Sequence, residues 1–389
     1  MIANTKEGEL CLTPQWIYDI TQEFAYQFQG FCQYRCHVAN LNAENIKILQ
    51  ANRDAWNLPE VSGMLNRLIR LAGLKPNSTV AFNANSVIHQ FGYFAAIELA
   101  RIQCLIGDYS SSLQTIAHLK LSDRNELFMT LPICHFNVFY HIGVCNLMLR
   151  RFNEGLDVFS DIILYVLRIL KPGAATNFRA GVPAQLQRMM DKAMSLTAVL
   201  MTVNPSYRME DQVKEAIEAK YGEKMRRLQS GDRTSAQELF ESSCPKFISP
   251  LVPDYGVSVN MHQDVFNHQS NIVIDEIMQY IPFLKLRSLI SMYASIDISK
   301  LSRFSEMPEI DLICLLLSYK NKAAQNRLAK STRTGHDLNF SIDGGVLVID
   351  SVPGKFDQSI ARERYFTSGV RKHSEINAQL RKTFNKLGL

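Results

Sequence analysis

Residues 98–116, ELARIQCLIGDYSSSLQTI, recur in pattern at 141–159, HIGVCNLMLRRFNEGLDVF, at an offset of 43. Leu99 falls on Ile142, Ala100 on Gly143, Ile106 on Leu149, Tyr109 on Phe152, Leu113 on Leu156 and Ile116 on Phe159. Each copy reads as a helix, a tight turn and a second helix. A small residue sits where two backbones must approach, and an aromatic follows the turn. A unit of this size cannot bury its apolar face alone, so it has to stack on neighbours of the same kind. A single recurring pair of segments therefore predicts a helical array rather than a sheet-based fold.

The flanking sequence agrees. PQWIYDITQEFAYQFQGFCQYRC has Pro14 in a first-turn position and Ile17, Ile20, Phe24, Phe28 and Phe31 at helical spacing. PEVSGMLNRLIRLAG (59–73) opens on Pro-Glu and ends on Gly. Loops are expected at 74–88 and 171–183, and helices at 184–202 and 209–229. The pattern resembles tetratricopeptide repeats with a longer, irregular period, so a right-handed TPR-like solenoid is expected over 1–241. SSCPKFISPLVPDYG carries Pro245, Pro250 and Pro253 and reads as a rigid, extended connector, assigned to 242–274.

After residue 275 the pattern changes. IDEIMQYIPFLKLRSLISMYASI is helical with a break expected near Pro282. Asp297 is positioned to cap a helix over 297–307, and Ile310, Ile313, Cys314 and Leu317 form an i, i+3, i+4, i+7 stripe. LNFSIDGGVLVID (338–350) alternates on both sides of an Asp-Gly turn and reads as a hairpin. Helices followed by a two-stranded wing predict a winged helix over 275–352. Its wing residues Phe340, Ile342, Leu347 and Ile349 are candidates for a subunit interface, because a strand edge pairs readily with another chain. From 353 to 389 a terminal amphipathic helix is expected. Phe366, Val370, His373, Asn377, Leu380, Phe384 and Leu387 alternate at spacings of four and three, a heptad seam that requires a partner. Phe366, Val370, Leu380, Phe384 and Leu387 are the candidate bundle contacts.

Chemistry-bearing motifs are scarce. CHFNVFYHIGVC places Cys134, His135, His141 and Cys145 within twelve residues. His141 and Cys145 continue the stripe Val138, His141, Cys145, Met148 on the first helix of a repeat, so the expectation is a core face and no metal. The eight cysteines include no CxxC and read as reduced core thiols. No GxGxxG, P-loop, GxSxG or HExxH occurs, so neither an enzyme nor a cofactor is expected. The first residues contain no apolar signal core and no stretch is long enough to span a bilayer, which predicts a cytoplasmic protein with no membrane contact.

Charge is nearly balanced, 42 basic against 37 acidic residues. It is unevenly placed. Lys320, Lys322, Arg327, Lys330 and Arg333 lie together with no acid among them, and the tail after 350 is also basic. These two segments carry a net +10 against +5 for the whole chain, so the remainder is acidic. The five residues are candidates for RNA contact through phosphates. The start of the helix before them, PEIDLI, is acidic and apolar, which argues against base readout in DNA.

A helical repeat array running into a winged helix resembles the PCI module of the proteasome lid, the signalosome and eukaryotic translation initiation factor 3. Five stretches point further: EFAYQFQGFCQYRC (23–36), LMLRRF (147–152), YGEKMRRLQSGD (221–232), ELFESSCPKFISPLVPDY (238–255) and LRSLISMYASIDISKLS (286–302). They resemble the L-subunit family of initiation factor 3 through most of the chain. That resemblance implies a non-catalytic scaffold subunit, with subunits K and E as neighbours and the small ribosomal subunit as the larger partner. It also implies that the winged helix joins an arc of others and that the terminal helix enters a bundle. The alternatives are an RNA-binding winged-helix protein and a PCI subunit of the proteasome lid or signalosome.

Overall fold

The computed structural model describes residues 12–74, 86–117, 119, 126–171, 181–205, 207–255, 261–290, 292–328, 339–350, 370, 373, 374, 376 and 377. The chain is mainly α-helical with one small antiparallel sheet, and it divides into two compact units at Pro282.

The first unit begins with α1 (Pro14–Cys36), where Thr13 caps the helix by accepting from Trp16 N at 3.4 Å and Pro14 occupies the first turn. Helix α2 (Ala43–Ala51) and α3 (Leu58–Leu71) follow, the latter capped by Asn57, whose side chain accepts from Glu60 N. Then come α4 (Val87–Ile106), α5 (Tyr109–Thr115), α6 (Pro132–Met148), α7 (Phe152–Ile169), α8 (Val182–Val203), α9 (Asp211–Ser230) and α10 (Arg233–Glu241). From α3 to α9 each helix packs on the next.

The 43-residue offset is visible in the backbone. Gly107 and Arg150 both take left-handed conformations, φ 94° and 61°. Gly107 N bonds Cys104 O and Asp108 N bonds Gln103 O. At the same offset Arg150 N bonds Leu147 O and Arg151 N bonds Asn146 O. Both turns are the same paired-hydrogen-bond helix stop, made by a glycine in one copy and by a strained arginine in the other. The small-residue prediction also holds at Gly143. A Cβ there would lie 2.5 Å from the buried Phe159 ring.

One core cluster gathers Ala25, Phe28 and Cys32 of α1, Val61 and Leu65 of α3, Leu99, Ile102 and Leu105 of α4, and Ile248. Ile248 belongs to the Pro-rich stretch. That stretch is extended, as its prolines require, and it is woven into the unit: Ile248 N bonds Leu105 O, Arg35 Nη2 donates to Pro250 O at 2.8 Å, and Phe247 is fully buried. Helix α11 (Met261–Ile290) starts within the segment expected as a connector and runs through Pro282 without the break that the sequence suggests.

Residues 283–290 of α11 belong to the second unit with β1 (Ser295–Asp297), α12 (Ile298–Ser305), α13 (Glu309–Leu328), β2 (Asn339–Asp343) and β3 (Val346–Asp350). Asp297 caps α12 by accepting from Ser299 N, as its position predicts. Gly344 and Gly345 both have positive φ, the geometry of a two-residue hairpin turn. Phe283 stacks on Tyr319 of α13 with ring centroids 3.4 Å apart.

Candidate assembly interface

The sheet order is β1–β3–β2, all antiparallel. Phe340 pairs with Ile349 and Ile342 with Leu347, and Ile296 of β1 also lies opposite Leu347. These residues share one face, on which Phe340, Leu347 and Ile296 are buried and Ile342 and Ile349 half-buried. The wing residues read from the sequence thus form the sheet's inner surface. The outer face shows Val346 and Val348, both exposed.

The expectation that both hairpin strands offer an edge needs correction. β3 is the central strand, because residues 295–297 form a third strand on its other side and Ile349 N bonds Ala294 O. Among the described residues β2 is the edge of the hairpin. Alternation of the ladder turns the backbone groups of Phe340 and Ile342 away from β3. One of these is already used: Lys320 Nζ donates to Phe340 O at 2.7 Å.

Helix α13 forms where the Ile310, Ile313, Cys314 and Leu317 spacing predicts a helix. Its buried side is Leu312, Leu316 and Tyr319, and the stripe chosen from the sequence lies opposite. Ile310 is 76% exposed and Leu317 46%, Cys314 is exposed, and Ile313 is half-buried. Phe304 of α12 is exposed as well. The signal for a surface strip was present as two competing apolar stripes, but period alone does not say which one faces in. The missed strand β1 is too short, at three residues, to declare itself by alternation.

Of the terminal-helix candidates, Val370 is helical and 70% exposed. Phe366, Leu380, Phe384 and Leu387 lie outside the described residues. In the basic stretch Lys320 and Lys322 belong to α13, as does Arg327, while Lys330 and Arg333 lie outside the described residues.

The Cys/His cluster sits in the first unit on α6. Cys134, His135 and Cys145 are buried, and His135 is ringed by Phe128, Phe139 and Tyr165, with centroids 5.6, 4.9 and 4.2 Å away. Burial holds its imidazole down at about 4, hence neutral. No group of three or more His, Cys, Asp or Glu side chains among the described residues could hold a metal. No described helix is long and apolar enough to cross a membrane.

These features define a mainly helical protein with paired, recurring helices in one unit and a small antiparallel sheet in the other. The family model for the RNA polymerase I-associated factor PAF67 matches residues 1–367, and the chain belongs to that family. It is similar to eukaryotic translation initiation factor 3 subunit L of Xenopus tropicalis, 29% identical over 96% of this chain and 69% of the relative. The subunits L of Homo sapiens and Danio rerio are each 29% identical over 95% of this chain, covering 68% and 66% of those proteins.

Proposed function

We propose that this chain acts in translation initiation as a non-catalytic scaffold subunit of initiation factor 3, working in the cytoplasm. In this reading the first unit is a TPR-like solenoid over 1–241, 242–274 links it onward, and 275–352 is the winged helix of a PCI module. The segment 353–389 serves as an assembly helix through Phe366, Val370, Leu380, Phe384 and Leu387. Similarity to subunit L over nearly the whole chain supports this role, as does the identical turn at Gly107 and Arg150.

The observation that carries the association role is the outward apolar strip of α13. Ile310, Cys314 and Leu317 stay exposed although the same helix buries another stripe. Apolar surface held in one strip marks a contact with another protein. We assign as its partner another PCI-type subunit, with K and E the first candidates. The outward side of β2, where Phe340 O already bonds Lys320, provides a second joint by strand addition at Ile342. Ile342→Pro removes an outward donor while keeping the ladder to β3, so it should weaken assembly without unfolding the sheet.

The test is affinity purification of the tagged full chain from its native cell, read by mass spectrometry. Other initiation-factor subunits and proteins of the small ribosomal subunit should dominate. Enrichment of RNA polymerase I subunits instead would overturn the reading. A direct contact of Lys322, Arg327, Lys330 and Arg333 with ribosomal RNA is the second reading, since Lys320 already serves β2. It requires small-subunit binding to fall steeply with salt and to lose part of that slope when the residues are neutralised.

A further inference from the structure

A half-open groove of about 390 Å³ lies in the first unit, apart from the surfaces considered above. Its lining comes from α1, α4, α6, α8, the end of α10 with the segment after it, and α11. That volume is in the range of ligand pockets, and Phe136, Tyr140 and Phe266 supply apolar wall.

The polar groups are unusual for a packed helical core. Arg101 is buried within α4, with Nη1 3.1 Å from Glu98 Oε2, Nη2 donating to Gln29 Oε1 at 2.9 Å, and its guanidinium 3.8 Å from the Tyr26 ring centroid. Glu98 is completely buried and its other oxygen, Oε1, has no partner among the described residues. The charge of Arg101 is thus shared with a single carboxylate oxygen. Beside it His141 lies with Nδ1 2.7 Å from Asn137 O. A carbonyl can only accept, so Nδ1 carries the hydrogen and Nε2 is left as an acceptor. Burial, reinforced by Arg101, holds this imidazole down to about 3, so it stays neutral. The groove therefore presents a cationic donor next to a neutral acceptor.

Lys192 and Lys246 line the same groove. Both are exposed, and neither has an ion-pair partner among the described residues. Glu241 is the one acidic residue in the lining; Arg101 is ion-paired with the buried Glu98, so Lys192 and Lys246 supply the excess positive charge. The phosphodiester groups of a nucleic acid carry no hydrogen, so they would find donors here but leave the acceptor of His141 unused. A polypeptide uses both, offering carboxylates to the cations and an N–H to the imidazole, and a half-open groove lets its chain enter and leave.

We propose that this groove binds an acidic segment of a partner polypeptide, with its carboxylates at Lys192 and Lys246 and an apolar side chain against Phe266 and Tyr140. The proposal is independent of which complex the chain joins.

The test is fluorescence anisotropy of the purified full chain with a fluorescein-labelled peptide EDFLEDE. An uncharged QNFLQNQ peptide and an oligouridylate serve as the comparison probes. The acidic peptide should bind, and the Lys192→Glu/Lys246→Glu double variant should weaken it at least tenfold. Lys47→Glu/Lys214→Glu makes the same change in net charge at exposed positions away from the groove, and it should weaken binding less than threefold. Thermal melts confirm that both double variants fold, since all four lysines lie on the surface. The proposal is overturned by absence of binding at millimolar peptide, by equal losses in the two double variants, by equal binding of the uncharged peptide, or by tighter binding of the oligouridylate.

Discussion

Helices α4 and α13 are both 20 residues long, yet they are used in opposite ways. In α4 every residue from Gln90 to Ile102 is buried, including Glu98 and Arg101. In α13 the strip Leu312, Leu316 and Tyr319 is buried while Ile310, Cys314 and Leu317 face outward. The first unit surrounds its central helix on all sides, so sequence change there acts through stability. The second unit leaves one apolar stripe of α13 uncovered, and in the function proposed above change there acts through association. A helix greasy all round belongs inside a core, and a helix with one spare stripe is fit to meet a partner.

The sharpest way to break this contrast is to cut into α4. Phe94 is fully buried and packs on the Tyr18 ring at 5.4 Å. Phe94→Ala should cost about 3–5 kcal/mol, measured by denaturant unfolding. A loss below about 1 kcal/mol would mean that α4 is not the packed centre of its unit.

Overpacking tests the same helix with a smaller change. A Cβ on Gly92 would lie 2.2 Å from Ala72 Cβ and 2.9 Å from the backbone oxygen of Leu68. Gly92→Ala should therefore force α3 and α4 apart and destabilise by roughly 1–3 kcal/mol. An unchanged melting temperature would show that the two helices separate freely.

Protons probe the interior by another route. The folded pKa of His135, about 4, lies below its ordinary value of 6.5, so between those values the unfolded chain binds a proton that the folded chain does not. Stability contributed by this residue is complete above pH 6.5 and declines as pH falls towards 4. The expected slope is about 1.4 kcal/mol per pH unit for one proton. Burial raises the carboxyl of Glu98 against the opposing pull of Arg101, so above its ordinary 4.5 that group works in the opposite sense and favours acid. His135→Phe should remove one proton from the pH dependence of unfolding. If urea titrations of the wild type and the variant run parallel between pH 6.5 and 4.5, His135 is not held neutral.

The smallest expected change in stability belongs to α13. Ile310→Ser/Leu317→Ser should alter unfolding by no more than about 0.5 kcal/mol per site, because both side chains already contact water. Recovery of other initiation-factor subunits with the tagged variant should nonetheless fall several-fold. A large loss of stability would place these residues in the core and erase the contrast with α4.

Much of the architecture was legible in one dimension. The offset of 43 anticipated the shared turn geometry, Asp297 announced the cap of α12, and the glycine-containing turn announced the hairpin. These features are set by local rules: helical period, capping hydrogen bonds, and the positive φ that glycine tolerates. The wing residues were legible as one face for the same reason, since alternation places Phe340, Ile342, Leu347 and Ile349 together.

What the sequence by itself determined, then, was which residues fall on a common stripe and where each element stops. The tertiary structure alone decided which stripe of α13 is covered, because period gives relative angle but not the position of a neighbour. It also decided that β3 is central, since β1 lies some fifty residues away and is identified only by its pairing. The threading of Phe247 and Ile248 into the core of the first unit and the meeting of Arg101, His141, Lys192 and Lys246 in one groove have the same cause. Contacts between residues distant in sequence leave no periodic trace, so only the folded chain reveals them.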